Sequence, residues 1–213
     1  PEVISAEKNE RGFIYHTKSW GVITGRLTGD YQRKNTNTIL TAINTLSDLG
    51  LFSHISEADL KVIVGKAFEN VTQLTGLMGR WQIVGNTPLT ICDTGHNADG
   101  MRFVAAQLDA LETDRIFAVM GFAKVKDLSK IMLLLPKRAH YIFTKASIDR
   151  ARAIEDIAAM ADELGLDYEC QPTVWEAVAR ARCLALATDT IFIGGSNFVV
   201  AEVDAIAEFG SKE

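Results

Sequence analysis

Hydrophobic positions change rhythm near Arg80, and that change organises the chain. Before it, Gly12 to Tyr31 mixes β-formers with Gly25, Gly29 and Asp30, a pattern of short strands and turns. Ile39, Leu40, Ile43, Leu46 and Leu49 then fall on one helical face, with Gly50 as a stop. A second helix opens at Ser56 with Asp59 three residues on, a capping-box-like pair that satisfies free backbone N–H groups. Its Leu60, Ile63, Val64, Ala67, Phe68 and Val71 recur at helical spacing. No parallel sheet accompanies these helices, so residues 1–80 read as the helical tail of a domain whose body lies elsewhere.

From Trp81 onward, apolar strands alternate with amphipathic helices. Strands are predicted at Leu89–Cys92, Ile116–Met120, Tyr141–Thr144, near Tyr168 and at Thr190–Ile193. Helices are predicted over Ala98–Leu111 and Leu128–Leu135, around Ile154–Ala161 and Val174–Ala185, and from about Val199. Such alternation calls for a mostly parallel sheet covered by helices on both faces, a Rossmann-like α/β domain over residues 81–213.

Composition changes little in this picture. The 213 residues are 47% hydrophobic and 23% charged, as in ordinary globular proteins. The longest aliphatic stretch, Ile131 to Leu135, is far short of the roughly 20 residues of a membrane span. A net charge of −5 without a Lys/Arg stripe argues against nucleic acid as a partner. Cys92, Cys170 and Cys183 are too scattered for a disulfide framework or zinc site and fit free thiols in a reducing cytoplasm. The amino-terminal Pro1-Glu2-Val3-Ile4 carries no signal-peptide pattern, and the missing initiator Met suggests a cut chain.

In an open α/β sheet, ligands lie beyond the carboxyl ends of the strands. The loops there are Asp93 to Asn97, Gly121 to Asp127, Lys145 to Arg150, and Gly194 to Asn197. Asp93 follows a strand directly, so its carboxylate either meets ribose hydroxyls or caps the helix that starts near Ala98. His96 fits a structural role as well as a chemical one. Lys126 and Asp127 fit a solvated pair at a helix start, and Ser196 and Asn197 fit either capping or anion binding. No Gly-x-x-x-x-Gly-Lys-Ser/Thr phosphate loop occurs, and the Gly65-Lys66 pair lies inside a periodic helix.

Taken together, the motifs are more specific. Gly79-Arg80-Trp81-Gln82 followed by Ile91-Cys92-Asp93-Thr94-Gly95-His96-Asn97 resembles the signature of folylpolyglutamate and dihydrofolate synthases of the Mur ligase superfamily. Tyr31-Gln32-Arg33-Lys34-Asn35-Thr36 resembles that family's Gln-x-x-Asn element, and Gly121, Lys126-Asp127, Arg150-Ala151 and Gly195-Ser196 follow in its order. Thr94-Gly95 inside the signature and Val125 before Lys126-Asp127 depart from the usual pattern.

The resemblance implies that residues 1–80 are the end of a central ATPase domain and residues 81–213 a C-terminal Rossmann-like domain. It implies ATP-dependent addition of L-glutamate to folates, with dihydropteroate as a further acceptor, through an acyl phosphate and with Mg²⁺. Asn35, Arg80 and Asp93 match the nucleotide-binding positions, and a guanidinium such as Arg80 suits phosphate oxygens. His96 matches the signature histidine, while Lys126 and Ser196 resemble positions that hold the amino acid's carboxylates. Metal ligands and the folate pocket are expected upstream of residue 1, so these residues alone are expected to be inactive. The competing readings are a muramyl-precursor amino-acid ligase and a stand-alone Rossmann-like binding module.

Overall fold

The computed structural model describes the backbone of residues 1–124 and 128–210, and side chains up to Val203. The chain divides into two compact units, Pro1–Arg80 and Trp81–Glu213.

The first unit opens with strands β1 (Val3–Asn9), β2 (Gly12–Thr17) and β3 (Val22–Gly25), an antiparallel sheet in that order. β1 escapes the sequence pattern because its apolar residues are bunched at Val3 and Ile4. Its register comes from pairing with β2, closed by Asn9 opposite Gly12. Gly12 has φ +134°, and a Cβ there would sit 2.0 Å from the Gly25 carbonyl oxygen, so glycine is required.

Helices α1 (Gln32–Asp48), α2 (Glu57–Glu69) and α3 (Val71–Thr75) follow. Ser56 caps α2 as its sequence suggests, accepting from the Asp59 N–H at 3.1 Å. Phe13, Tyr15, Ile23, Leu40, Leu60 and Val64 form the core. Of the apolar stripe on α1, Leu40 is buried and Ile43 packs on the core, whereas Ile39, Leu46 and Leu49 are exposed. Ile63 on α2 is exposed as well.

The second sheet contains β4 (Arg80–Asn86) and β5 (Leu89–Asp93), joined by a two-residue turn. α4 (Ala98–Asp109), β6 (Ile116–Met120), α5 (Leu128–Met132) and β7 (Ala139–Phe143) follow. The chain continues through α6 (Ile154–Leu164), β8 (Asp167–Cys170), α7 (Val174–Leu184), β9 (Thr190–Gly194) and α8 (Asn197–Gly210). The strand order is β4-β5-β9-β6-β7-β8, and the pairs from β5 to β8 are parallel.

Handedness explains the layers. The steps β5 to β6, β6 to β7 and β7 to β8 advance in one direction across the sheet, so their right-handed crossovers put α4, α5 and α6 on one face. The return from β8 to β9 reverses direction and puts α7 on the other, beside α8. Side chains alternate accordingly. Ala118, Met120, Tyr141, Phe143 and Phe192 pack into the first layer, and Phe117, Val119, Ile142, Ile191 and Ile193 into the second. Each large side chain so buried contributes roughly 1.5–3 kcal/mol relative to exposure.

Candidate functional site

The parallel register brings the strand ends together. Asp93 on β5 pairs with Gly194 on β9, Gly194 with Met120 on β6, and Met120 with Phe143 on β7. The loops leaving these strands therefore share one edge, and the backbone there is unusually tight. Gly195 has φ +84°, and a Cβ on it would lie 2.8 Å from the Gly121 carbonyl oxygen. Only glycine lets the two loops approach so closely.

A second device aligns the β6–α5 and β7–α6 loops. Lys124 N–H donates to the Arg150 carbonyl at 2.8 Å, Arg152 N–H donates to the Phe122 carbonyl at 2.8 Å, and Ala123 bridges Ala151. This short ladder sets Lys124 and Arg150 side by side. The Lys124 ammonium donates to the Asp149 carbonyl at 3.1 Å.

Over these loops lies a cleft of about 290 Å³ lined by His96, Phe122, Lys124, Arg150, Ser196 and Asn197, among others, with no carboxylate in its described wall. His96 is exposed, and its Nδ1 lies 2.9 Å from the Thr94 carbonyl oxygen. A carbonyl only accepts, so Nδ1 is the donor in this contact and Nε2 takes no part in it. Ser196 is 4% exposed and its Oγ accepts from Phe198 N–H at 3.2 Å. That satisfies one first-turn donor of α8 and leaves the hydroxyl its own proton to donate.

His96 and Ser196 thus meet in one cleft. Lys126, with Asp127, lies outside the described residues. Lys124 and Arg150 were not singled out from sequence as site residues. The signal was their membership of strand-tip loops, but the ladder that pairs them spans distant residues.

Of the two readings offered for Asp93, the structure overturns the cap. The carboxylate is 1% exposed, accepting from Trp81 N–H at 2.8 Å and Gly95 N–H at 2.7 Å. It does not cap α4, because the cap is Asn97, whose Oδ1 accepts from Gly100 N–H at 2.8 Å.

The first unit holds its own cleft of about 520 Å³, with Asn35 and Arg80 both in its lining beside Tyr15, Gln32 and Thr36. Asn35 is exposed on the first turn of α1 and its amide donates to Gln32 Oε1 at 3.2 Å. Burial pushes the Tyr15 phenol up, and its hydrogen bond with Thr36 partly offsets this. Much of the remaining lining is apolar, including Ile39, Ile63 and Phe68.

Over the strand tips of this parallel sheet the described wall of the cleft thus carries Lys124 and Arg150 and no carboxylate, at the edge where ligands of open α/β sheets lie. Residues 79–197, more than half of the chain, match the family described as Mur ligase, glutamate ligase domain. The chain belongs to that family. It is 33% identical over 125 residues to a probable bifunctional folylpolyglutamate synthase/dihydropteroate synthase of Haloferax volcanii, covering 58% of this chain and 15% of that protein.

Among solved structures, it matches Mycobacterium tuberculosis folylpolyglutamate synthase complexed with ADP at TM-score 0.76 and 20% identity. That match covers 96% of this chain and 47% of the other. A bifunctional folylpolyglutamate synthase/dihydrofolate synthase with Mn, AMPPNP and L-glutamate bound matches at TM-score 0.69 and 19% identity, covering 96% and 46%. The chain thus spans about half the length of these solved relatives.

Proposed function

We propose that this chain is the C-terminal part of an ATP-dependent ligase that adds L-glutamate to folates, and to dihydropteroate as a further acceptor. The observation that carries the reading is the glutamate ligase family match, which spans a cleft built for a small anion. Lys124 and Arg150 set two cations side by side, and the start of α8 adds backbone N–H groups that favour negative charge. At about 290 Å³ the cleft lies at the lower limit of drug-sized pockets, a scale that suits an amino acid better than a folate.

In this reading Ser196, with Lys126, holds a glutamate carboxylate, joined by Arg150 and Lys124. His96 Nε2 orients the incoming amino group. Asn35 and Arg80 meet ATP, and Asp93 belongs to the same nucleotide-binding set. The ligase activates an acceptor carboxylate as an acyl phosphate and glutamate nitrogen displaces phosphate, so positioning and charge neutralisation supply most of the catalysis. Mg²⁺ would accompany the nucleotide. Among the described residues no group of three His, Cys, Asp or Glu could hold a metal, so no step is assigned to a metal ligand of this chain.

The exposed apolar residues Ile39 and Ile63 support the reading of residues 1–80 as the end of an ATPase domain, whose preceding part would cover them. No helix among the described residues is long and apolar enough to cross a membrane. With Cys92, Cys170 and Cys183 outside any disulfide, this fits a cytoplasmic enzyme.

The test is to incubate the complete protein with Mg·ATP, L-glutamate and either a reduced folate or dihydropteroate. The expected result is a glutamylated acceptor with ADP and phosphate, while residues 1–213 alone give none. Ligation to a muramyl precursor instead would move the enzyme to another branch. No ATP-dependent ligation with any acceptor would overturn the proposal.

A further inference from the structure

α8 meets the β7–α6 loop at two points one helical turn apart. Phe198 and Glu202 stand four residues apart, so they share one face of the helix. The Arg150 guanidinium lies over the Phe198 ring, 4.6 Å from its centroid. A turn further along, Glu202 Oε1 accepts from the Ser147 N–H at 2.6 Å. Between these points the loop bonds to itself, with Ile148 N–H on the Ala146 carbonyl and Ala151 N–H on the Ile148 carbonyl. The ladder with Lys124 and Phe122 takes its backbone from Arg150 onward. Glu202 takes it at Ser147, before the turn, and ties it to α8. Glu202 itself lies outside the described wall of the cleft, whereas Arg150 and Phe198 are in it.

We propose that Glu202 is a positioning residue for the amino-acid substrate: by holding Ser147 on α8 it keeps the Arg150 guanidinium stacked on Phe198 in the cleft wall. This rests on the reading that Arg150 holds a glutamate carboxylate. Charge and positioning predict opposite signs. Removing an anion from the neighbourhood of an anion site weakens repulsion, so by charge alone Glu202→Ala and Glu202→Gln should both tighten glutamate. Positioning separates the two variants, since a glutamine's amide oxygen still accepts from the Ser147 N–H and alanine offers no acceptor.

Two measurements test this. In the complete ligase, Glu202→Ala should raise the KM for L-glutamate about fivefold, with kcat and the KM for ATP within about twofold of wild type. Glu202→Gln should keep the glutamate KM within about twofold of wild type. In an Arg150→Ala background, Glu202→Ala should add less than about twofold, because the two residues act as a unit. The proposal is overturned by a glutamate KM that does not rise in Glu202→Ala, rises equally in Glu202→Gln, or rises independently of Arg150.

Nuclear magnetic resonance of the Arg150 side chain in the same ligase tests the clamp without any activity. The Phe198 ring should shift the Arg150 Hε resonance upfield, with Phe198→Leu as the unshifted reference. That shift should collapse towards the reference in Glu202→Ala and persist in Glu202→Gln. An unmoved resonance in Glu202→Ala would overturn the clamp. A wild-type glutamate KM in Arg150→Ala would instead overturn the reading that Arg150 meets glutamate.

Discussion

The guanidinium of Arg150 lies over the ring of Phe198, 4.6 Å from its centroid. This stack joins the β7–α6 loop to the first turn of α8, so the cleft is braced across its width. A guanidinium held by its face keeps its N–H edge for hydrogen bonding, which an ammonium on a flexible stem does not. The same loop is fixed from its other side by the ladder with Lys124.

Arg150→Lys should therefore impair glutamate use despite keeping the charge. If the fork bonds a carboxylate, the loss is about 1.5–3 kcal/mol, the usual worth of hydrogen bonds to charged groups. Steady-state kinetics of the complete ligase should show a raised KM for glutamate with the KM for ATP unchanged. A wild-type glutamate KM would reduce Arg150 to a brace between loop and helix.

Gly195→Ala should destabilise the second unit and damage the cleft together. Its φ of +84° strains any L side chain, and the new Cβ would press on the Gly121 carbonyl and the Phe122 ring, 2.8 and 3.0 Å away. Left-handed strain at a non-glycine residue costs about 1–3 kcal/mol before the clash is counted. Gly165→Ala is the control, because its φ is +61° but no atom lies within 4 Å of the added Cβ. Thermal unfolding should rank Gly195→Ala well below Gly165→Ala, and equal midpoints would remove the close-approach argument.

The parallel part of the fold was legible because buried strands such as Ile116–Met120 and Thr190–Gly194 are apolar on both faces. β4 was not, since Ile83 and Val84 are both exposed on this edge strand and its residues read as a junction. α5 ends at Met132 although Leu133, Leu134 and Leu135 extend the apolar run, and Leu133 is exposed. At the site, the order of strands and loops placed His96 and Ser196 on one edge. The turning-in of Asp93 could not be read, because it depends on the left-handed backbone of Trp81, twelve residues away.

Asn97→Ala should cost about 1 kcal/mol, the usual worth of a side-chain helix cap. Asn97 Oδ1 holds Gly100 N–H at the start of α4, and the long α4 face carrying Met101, Val104 and Leu108 depends on that first turn. Asn97→Asp should be neutral or better, since a carboxylate caps as well and favours the helix N-terminus. Urea midpoints of the three proteins check this, and an alanine variant as stable as wild type would show that the cap is dispensable.

Tyr141 makes stability depend on alkaline pH. Its ring is fully buried in β7, and its hydroxyl donates to the Pro136 carbonyl at 2.7 Å. Burial, reinforced by the negative charge of Asp109, pushes the phenol far above its ordinary value. An unfolded tyrosine loses its proton near pH 10, whereas the folded one keeps it. Above that pH the unfolded state binds fewer protons, so unfolding stability falls as pH rises, by up to about 1.4 kcal/mol per unit. Below about pH 10 the full contribution is present. Tyr141→Phe should lower stability at neutral pH by about 1–3 kcal/mol, because the buried carbonyl loses its donor, while declining less steeply between about pH 10 and 11. The phenols of Tyr15 and Tyr168 are also raised, but they are common to both proteins and cancel in the difference. Urea unfolding from pH 8 to 11 measures both slopes. Parallel curves would mean that Tyr141 ionises in the folded chain as readily as in the unfolded one, and that its burial is not maintained at high pH.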